Sequence, residues 1–406
     1  MRKFFPITKS YRKQFQRIMA PFIYSMTQRF PGFFKEKLVY LVAVNSCKTT
    51  PAGIPLGWVS NFNHNNLPAV VKRFYALPDE VFANTEIYEQ WAPLYALAVD
   101  LNAIFSVTPM VIDAFYRRSV EQFLYFLPYL LEEEDVPEFL PPLQITRKRQ
   151  HYLRELATNS RRSFKDLWPS LLFVCCWTSG LCEYPAHLLR QLLGSEIALI
   201  DGTYSATEGW ITVPLDDGLG GYLHPGGHIV EFIEEGKEIR KENIVQSWEL
   251  ELGKRYEIFL TTAMGLVRYQ LKDVVQCAGY LNKSPRLIFC YKVEQLKLEN
   301  CSISSQELQQ VVQDVGFAME PHWYFARNSL GSRLVLVTDD TADIPNSLLI
   351  QMHERLRQLN QPYAYGIVTK EVLPIVLLQL PKEQMLGERH AQTKPKFISQ
   401  QVITSM

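Results

Sequence analysis

Residues Tyr204-Ser205-Ala206-Thr207-Glu208-Gly209-Trp210 put two aromatic side chains, three hydroxyls and a carboxylate on seven consecutive positions. An aromatic, hydroxyls, a carboxylate and a glycine in a row suggest a polar loop, and the carboxylate can hold a cation. Mg²⁺ takes one or two carboxylates and completes its shell with substrate oxygens, so Glu208 alone has the chemistry of a phosphate-neutralising metal acid. The plain alternative is an ordinary turn with a buried Trp210.

The residues before the loop say how it is held. Glu196-Ile197-Ala198-Leu199-Ile200 is a short apolar run closed by Asp201-Gly202. That pattern predicts a buried strand whose end opens into a polar loop, which is where open α/β proteins bind nucleotides. Leu171–Cys176 reads as a second strand, with a helix over Tyr184–Leu193 between the two, a βαβ-like unit. Cys175 and Cys176 are adjacent and are expected on opposite faces of that strand. Ile229–Ile233, Tyr256–Thr261 and Leu287–Tyr291 are further strand candidates.

Upstream, residues 1–40 read as amphipathic helix, Tyr40–Asn45 as a strand and Cys47–Asn66 as a long loop. Residues 67–158 read as mainly helical, including Met110–Glu134 and Arg147–Thr158. Downstream, Ser304 and Glu307 form a capping box that opens a helix to Val315. Strands are expected at Trp323–Ala326, Arg333–Val337 and Val372–Leu378, with an amphipathic helix over Asn346–Leu359. The fold class is α/β: a large domain over residues 1–292 and a smaller α/β domain over 293–406.

Bulk properties exclude several functions. The 406 residues are 47% hydrophobic and 21% charged, with zero formal net charge. These are values of a soluble globular chain, without the basic excess of a nucleic-acid binder. Val120–Leu131 is the most apolar long segment, but Glu121, Gln122 and Pro128 break it, so no membrane span is expected. Seven cysteines with no zinc-finger spacing suggest reduced thiols and a cytoplasmic protein.

Further segments stand in order with the Tyr204–Trp210 loop. Leu167-Trp168-Pro169 and Trp177-Thr178-Ser179-Gly180 precede it. Tyr256–Thr262 and Gly265-Leu266-Val267-Arg268-Tyr269-Gln270-Leu271-Lys272-Asp273-Val274-Val275 follow it, and Gln392-Thr393-Lys394-Pro395-Lys396 lies near the C-terminus. In that order the sequence resembles the auxin-responsive Gretchen Hagen family. Its members are acyl acid amido synthetases of the adenylate-forming, firefly-luciferase-like superfamily. The resemblance implies an adenylate-forming N-terminal domain and a mobile C-terminal domain. It implies ATP, AMP and Mg²⁺ as cofactors, with a carboxylic acid and an amino acid as substrates. The acid would attack the α-phosphate of ATP, and the amine would then displace AMP from the acyl-adenylate.

Residue by residue, the resemblance gives Tyr204 and Thr207 to the adenylate-contacting loop and Glu208 to the metal. Asp273 matches the acceptor of both ribose hydroxyls. Ser179 and Gly180 match the turn lining the acyl and adenine side. Lys394 matches the late lysine that reaches the reacting phosphate. Lys292 stands where an Arg is expected near the domain junction, keeping the charge and losing the bidentate fork. Lys272 stands where a Gly is expected. The family's Ser/Thr/Gly-rich phosphate loop is expected just before a run matching Lys3-Phe4-Phe5-Pro6-Ile7-Thr8, and no such loop is visible here. The alternative is therefore a family member that binds an acyl or nucleotide ligand, or a protein partner, without adenylation. Phe74, Tyr75, Tyr95, Phe105, Phe115 and Tyr116 are candidate walls of an acyl pocket, each also a natural core residue.

Overall fold

A computed structural model describes the chain except residues 1–3, 42–48, 66, 68, 83–84, 300, 318–322, 382–397 and 404–406. The chain forms two compact units. One comprises residues up to Thr178 together with Ala186–Gly227; the other comprises Ser179–Pro185 and most of the chain from His228 onward.

The first unit is built on a parallel sheet of β1 (Lys37–Tyr40), β2 (Leu101–Phe105), β3 (Phe173–Cys176) and β4 (Ala198–Asp201), in that spatial order. Apolar residues occupy most positions of these strands because both faces are covered. Leu38, Ala103, Phe173 and Cys175 face one cluster, shared with Ile18, Phe22 and Met26 of the helix Lys9–Arg29. Val39, Ile104, Val174 and Cys176 face another, filled from the helices Thr85–Leu97, Pro109–Glu121, Phe123–Leu130 and Arg147–Leu156. The adjacent cysteines thus lie on opposite faces, and all six described cysteines are free thiols.

The helix between β3 and β4 spans Glu183–Leu193 and completes the expected βαβ unit. Three readings change. The helical region 67–158 contains β2, a strand at the heart of the sheet, and the loop Cys47–Asn66 contains a helix, Val59–Asn65. The strand expected at Tyr40–Asn45 lies earlier: β1 ends at Tyr40, inside the segment read as helix over residues 1–40, whose helix stops at Arg29. Leu41 is not in the strand, and residues 42–45 fall outside the described residues. Short paired strands follow β4: β5 (Ser205–Ala206) with β6 (Gly209–Trp210), and β7 (Thr212–Val213) with β8 (Gly221–Leu223).

The second unit holds an antiparallel set of β9 (Ile229–Glu234), β10 (Ile244–Gln246), β11 (Arg255–Thr261), β12 (Tyr269–Leu281) and β13 (Ser284–Lys292), in the order β10-β9-β11-β12-β13. The chain continues through a hairpin of β14 (Gln295–Lys297) and β15 (Ser302–Ser304). Ser304 caps the helix Ser305–Asp314, and Glu307 completes the capping box. β16 (Trp323–Asn328), β17 (Arg333–Asp339), β18 (Leu373–Leu380) and β19 (Ile398–Ile403) form a mixed sheet in the order β18-β17-β16-β19. The helices Ser305–Asp314 and Asn346–Leu359 fill a cluster with Phe325, Leu334 and Leu336, on one face of that sheet. Among the described residues no helix is long and apolar enough to cross a membrane.

Of the candidate acyl-pocket aromatics, Tyr95 and Phe115 are buried in the core, and Phe74, Phe105 and Tyr116 are half-buried against it. Phe115 stacks on Trp168 at 6.0 Å, and Tyr116 on Phe164 at 4.0 Å. Tyr95 and Tyr116 donate their hydroxyls to the carbonyls of Pro141 and Arg162. Ile104 is fully buried on β2. Ile104→Ala removes three carbons from a packed interior and is expected to cost about 3 kcal/mol, read as a lower urea midpoint at unchanged slope.

Candidate functional site

In the first unit the expected loop is a tight hairpin. Ala206 pairs with Gly209 and Ser205 with Trp210, which leaves Thr207 and Glu208 as its two-residue tip. Its base is tied through the backbone of Tyr204. The Tyr204 amide donates to Thr212 Oγ1 at 3.0 Å, and the Tyr204 carbonyl accepts from the amides of Ile211 at 3.0 Å and Thr212 at 3.3 Å. Phe15 meets the half-buried Trp210 ring edge-on, with centroids 4.8 Å apart. Thr207 is exposed and Glu208 half-buried. Neither side chain has a hydrogen bond or ion pair among the described residues, so both are presented rather than consumed by the fold. A cation bound with phosphate oxygens needs one or two protein carboxylates, and Glu208 fits that demand. No cluster of three or more His, Cys, Asp or Glu side chains exists among the described residues, so a self-sufficient protein cage is not built there.

Composition and spacing gave no reason to single out Asp201. It ends β4, is 8% exposed, and accepts from the amides of Thr178 at 2.9 Å and Gly220 at 2.7 Å. Burial pushes its carboxyl pKa up, and the backbone donors pull the other way without cancelling that rise. Beside it, the Gly202 amide donates to the Cys176 carbonyl at 2.7 Å, and Trp177 Nε1 donates to the Thr203 carbonyl at 2.8 Å. The only signal in the sequence was an acidic residue closing an apolar run, which reads equally well as a turn.

In the second unit, two expected residues face each other on the β12–β13 ribbon, and a third, Gly180, packs against it. Asp273 and Lys292 are direct cross-strand partners. Lys292 Nζ lies 2.8 Å from Asp273 Oδ1 and also donates to the Leu271 carbonyl at 2.9 Å. Asp273 is 6% exposed, while the Lys292 side chain is half exposed, which limits what this pair adds to stability. Ser305 fastens the following junction: its hydroxyl donates to the Lys292 carbonyl at 2.6 Å, and its amide donates to Glu294 O at 2.7 Å. Ser179 is extended and precedes a short turn, Gly180–Cys182. Gly180 has φ +59° and lies against β13. A Cβ there would come within 2.8 Å of the Phe289 ring. Lys394 lies outside the described residues.

β12 carries a bulge where β11 pairing shifts between Glu257 and Phe259. Lys272 sits in it with φ +61°, a left-handed conformation that suits glycine. The expected Gly is thus replaced by Lys while the backbone keeps the glycine geometry. Arg268, also at positive φ, makes a two-pronged pair with Glu231, both contacts at 2.9 Å. It holds the β11–β12 turn, a role the sequence pattern did not reveal. Lys272→Gly is expected to stabilise the protein by about 1 kcal/mol by relieving the left-handed strain. Gly180→Ala is expected to destabilise it by about 2 kcal/mol through crowding and strain together. Both are read by chemical denaturation.

The GH3 family N-terminal domain model matches residues 1–197, and the GH3 family central domain model matches residues 221–292. Among curated relatives, the jasmonoyl–L-amino acid synthetase GH3.5 of Oryza sativa subsp. japonica is 31% identical over 173 residues, covering 38% of this chain and 29% of the relative. The probable indole-3-acetic acid-amido synthetase GH3.6 of the same organism is 26% identical, covering 53% of this chain and 50% of the relative. The chain therefore spans half or less of the length of these relatives. The structure of the GH3.15 acyl acid amido synthetase superposes with a TM-score of 0.75 at 15% identity, covering 97% of this chain and 78% of that one. The mixed α/β architecture is thus one already seen in that structure. Two matches to one family, in order and together spanning well over half the sequence, place the chain in the GH3 family.

Proposed function

We propose that the chain acts as an ATP-dependent acyl acid–amino acid ligase working through an acyl-adenylate. The observation that carries this reading is Glu208, a carboxylate without a partner among the described residues, at the tip of a hairpin whose base is fixed by Tyr204. Its resemblance to the metal acid of GH3 members gives it Mg²⁺, which supplies neutralisation of the triphosphate charge. Thr207 beside it offers a hydroxyl to the α-phosphate, and the Tyr204 ring offers a surface to adenine. On the β12–β13 ribbon, Asp273 offers a carboxylate to the ribose hydroxyls, and Lys292 fixes its orientation. Ser179 and Gly180 line the acyl and adenine side. The resemblance gives Lys394 the role of the lysine for the reacting phosphate, with residues 1–292 as the adenylate-forming domain and residues 293–406 as the smaller domain. The substrates are a carboxylic acid and an amino acid, and the location is cytoplasmic.

A second reading is a family member that binds an acyl or nucleotide ligand without adenylating it. The Lys292–Asp273 contact favours it, because one oxygen of the expected ribose acceptor is already engaged.

ATP–pyrophosphate exchange with a panel of aromatic and aliphatic acids separates the two. The ligase reading expects acid-dependent exchange that falls roughly 100-fold or more in Glu208→Ala, the scale of removing a group that stabilises developing charge. Asp273→Ala is expected to raise the KM for ATP while leaving the melting temperature nearly unchanged. Exchange that is absent with every acid, while calorimetry detects ATP binding, favours the second reading. Absence of both sinks the first.

A further inference from the structure

The hairpin that presents Thr207 and Glu208 is only two residues long on each side, too short to hold its own shape. Something outside it must fix its base. Three neighbouring contacts run from the end of β3 to the end of β4. They are the Gly202 amide to Cys176 O, Trp177 Nε1 to Thr203 O, and the Thr178 amide to Asp201 Oδ1. The second Asp201 oxygen reaches the other way, to the Gly220 amide. Gly221, the next residue, is packed so tightly on Thr212 that a Cβ would come within 2.7 Å of its hydroxyl oxygen. That same hydroxyl accepts from the Tyr204 amide. The contacts close a ring: Asp201 to Gly220-Gly221, to Thr212, to Tyr204, and back along the chain to Asp201.

We infer that Asp201 is a positioning residue of the nucleotide site, holding the Tyr204–Trp210 hairpin in place through this ring. The assignment rests on the nucleotide reading of the hairpin given above. A carboxylate suits the position because its two oxygens accept from two backbone donors on opposite sides. An amide has one acceptor and would set its own N–H₂ against the other donor. A buried carboxylate is also an expensive way to hold a core together, since apolar side chains of similar volume do so at lower cost. Among the described residues its bonds go to the loops around the hairpin, and none to a charged partner.

The test compares the parent chain with Asp201→Asn, using Asp201→Ala as the harsher variant. Hydrogen–deuterium exchange followed by mass spectrometry reads the hairpin directly, without substrate. Amides of the 203–212 segment are expected to exchange at least about tenfold faster in Asp201→Asn, the scale of one charge-assisted hydrogen bond. Amides of the helix Pro109–Glu121, on the same sheet, are expected to stay unchanged. ATP affinity by calorimetry is expected to weaken about tenfold. Exchange that rises equally in both segments overturns the inference and makes Asp201 a general stabiliser, as does a hairpin whose exchange and ATP affinity both match the parent. If the parent itself does not bind ATP, the nucleotide reading fails, while the exchange comparison still decides whether Asp201 holds the hairpin.

Discussion

A parallel strand that ends at the edge of a doubly covered sheet leaves backbone groups with no neighbour to bond. Every polar feature at the ends of β3 and β4 answers that constraint. The Gly202 amide, the Trp177 indole and the Asp201 carboxylate each close one open position, and together they turn the chain out of the sheet along a single path. The hairpin that follows inherits its direction from these bonds. A polar loop can therefore stand on a fully apolar support.

The second unit solves a different problem with antiparallel strands. β12 is its longest strand and would be regular but for the bulge at Lys272. The bulge falls immediately before Asp273. Lys292, opposite on β13, then holds one carboxylate oxygen and the neighbouring carbonyl of Leu271 at once. An Arg would bring a planar fork to the same place. Lys brings a point charge that can satisfy both acceptors without fixed geometry.

Local signals were the legible ones. The capping box at Ser304 and Glu307, the helix Asn346–Leu359 and the split of Cys175 and Cys176 to two faces each follow from a few consecutive residues. β2 was not legible, because Leu101-Asn-Ala-Ile-Phe sits between helices, and a five-residue segment buried on both faces, with Asn102 among its apolar residues, has no period of its own. β12 escaped for the opposite reason: its bulge breaks the alternation that marks a strand. The Thr207–Glu208 tip was visible as residue types in order. Asp201 was not, since its importance lies in amides at Thr178 and Gly220, and amides leave no trace in a sequence.

The paired thiols on β3 have a consequence for how this protein comes apart. Cys175 lies under the helix Lys9–Arg29, and burial holds its thiol up at about 12. Cys176 lies under the layer of helices on the other face. Neighbours in the chain, they are sealed by different lids. A thiol reagent that reaches one before the other reports which layer lifts first, so the sheet carries a built-in clock for the order of its own unwrapping.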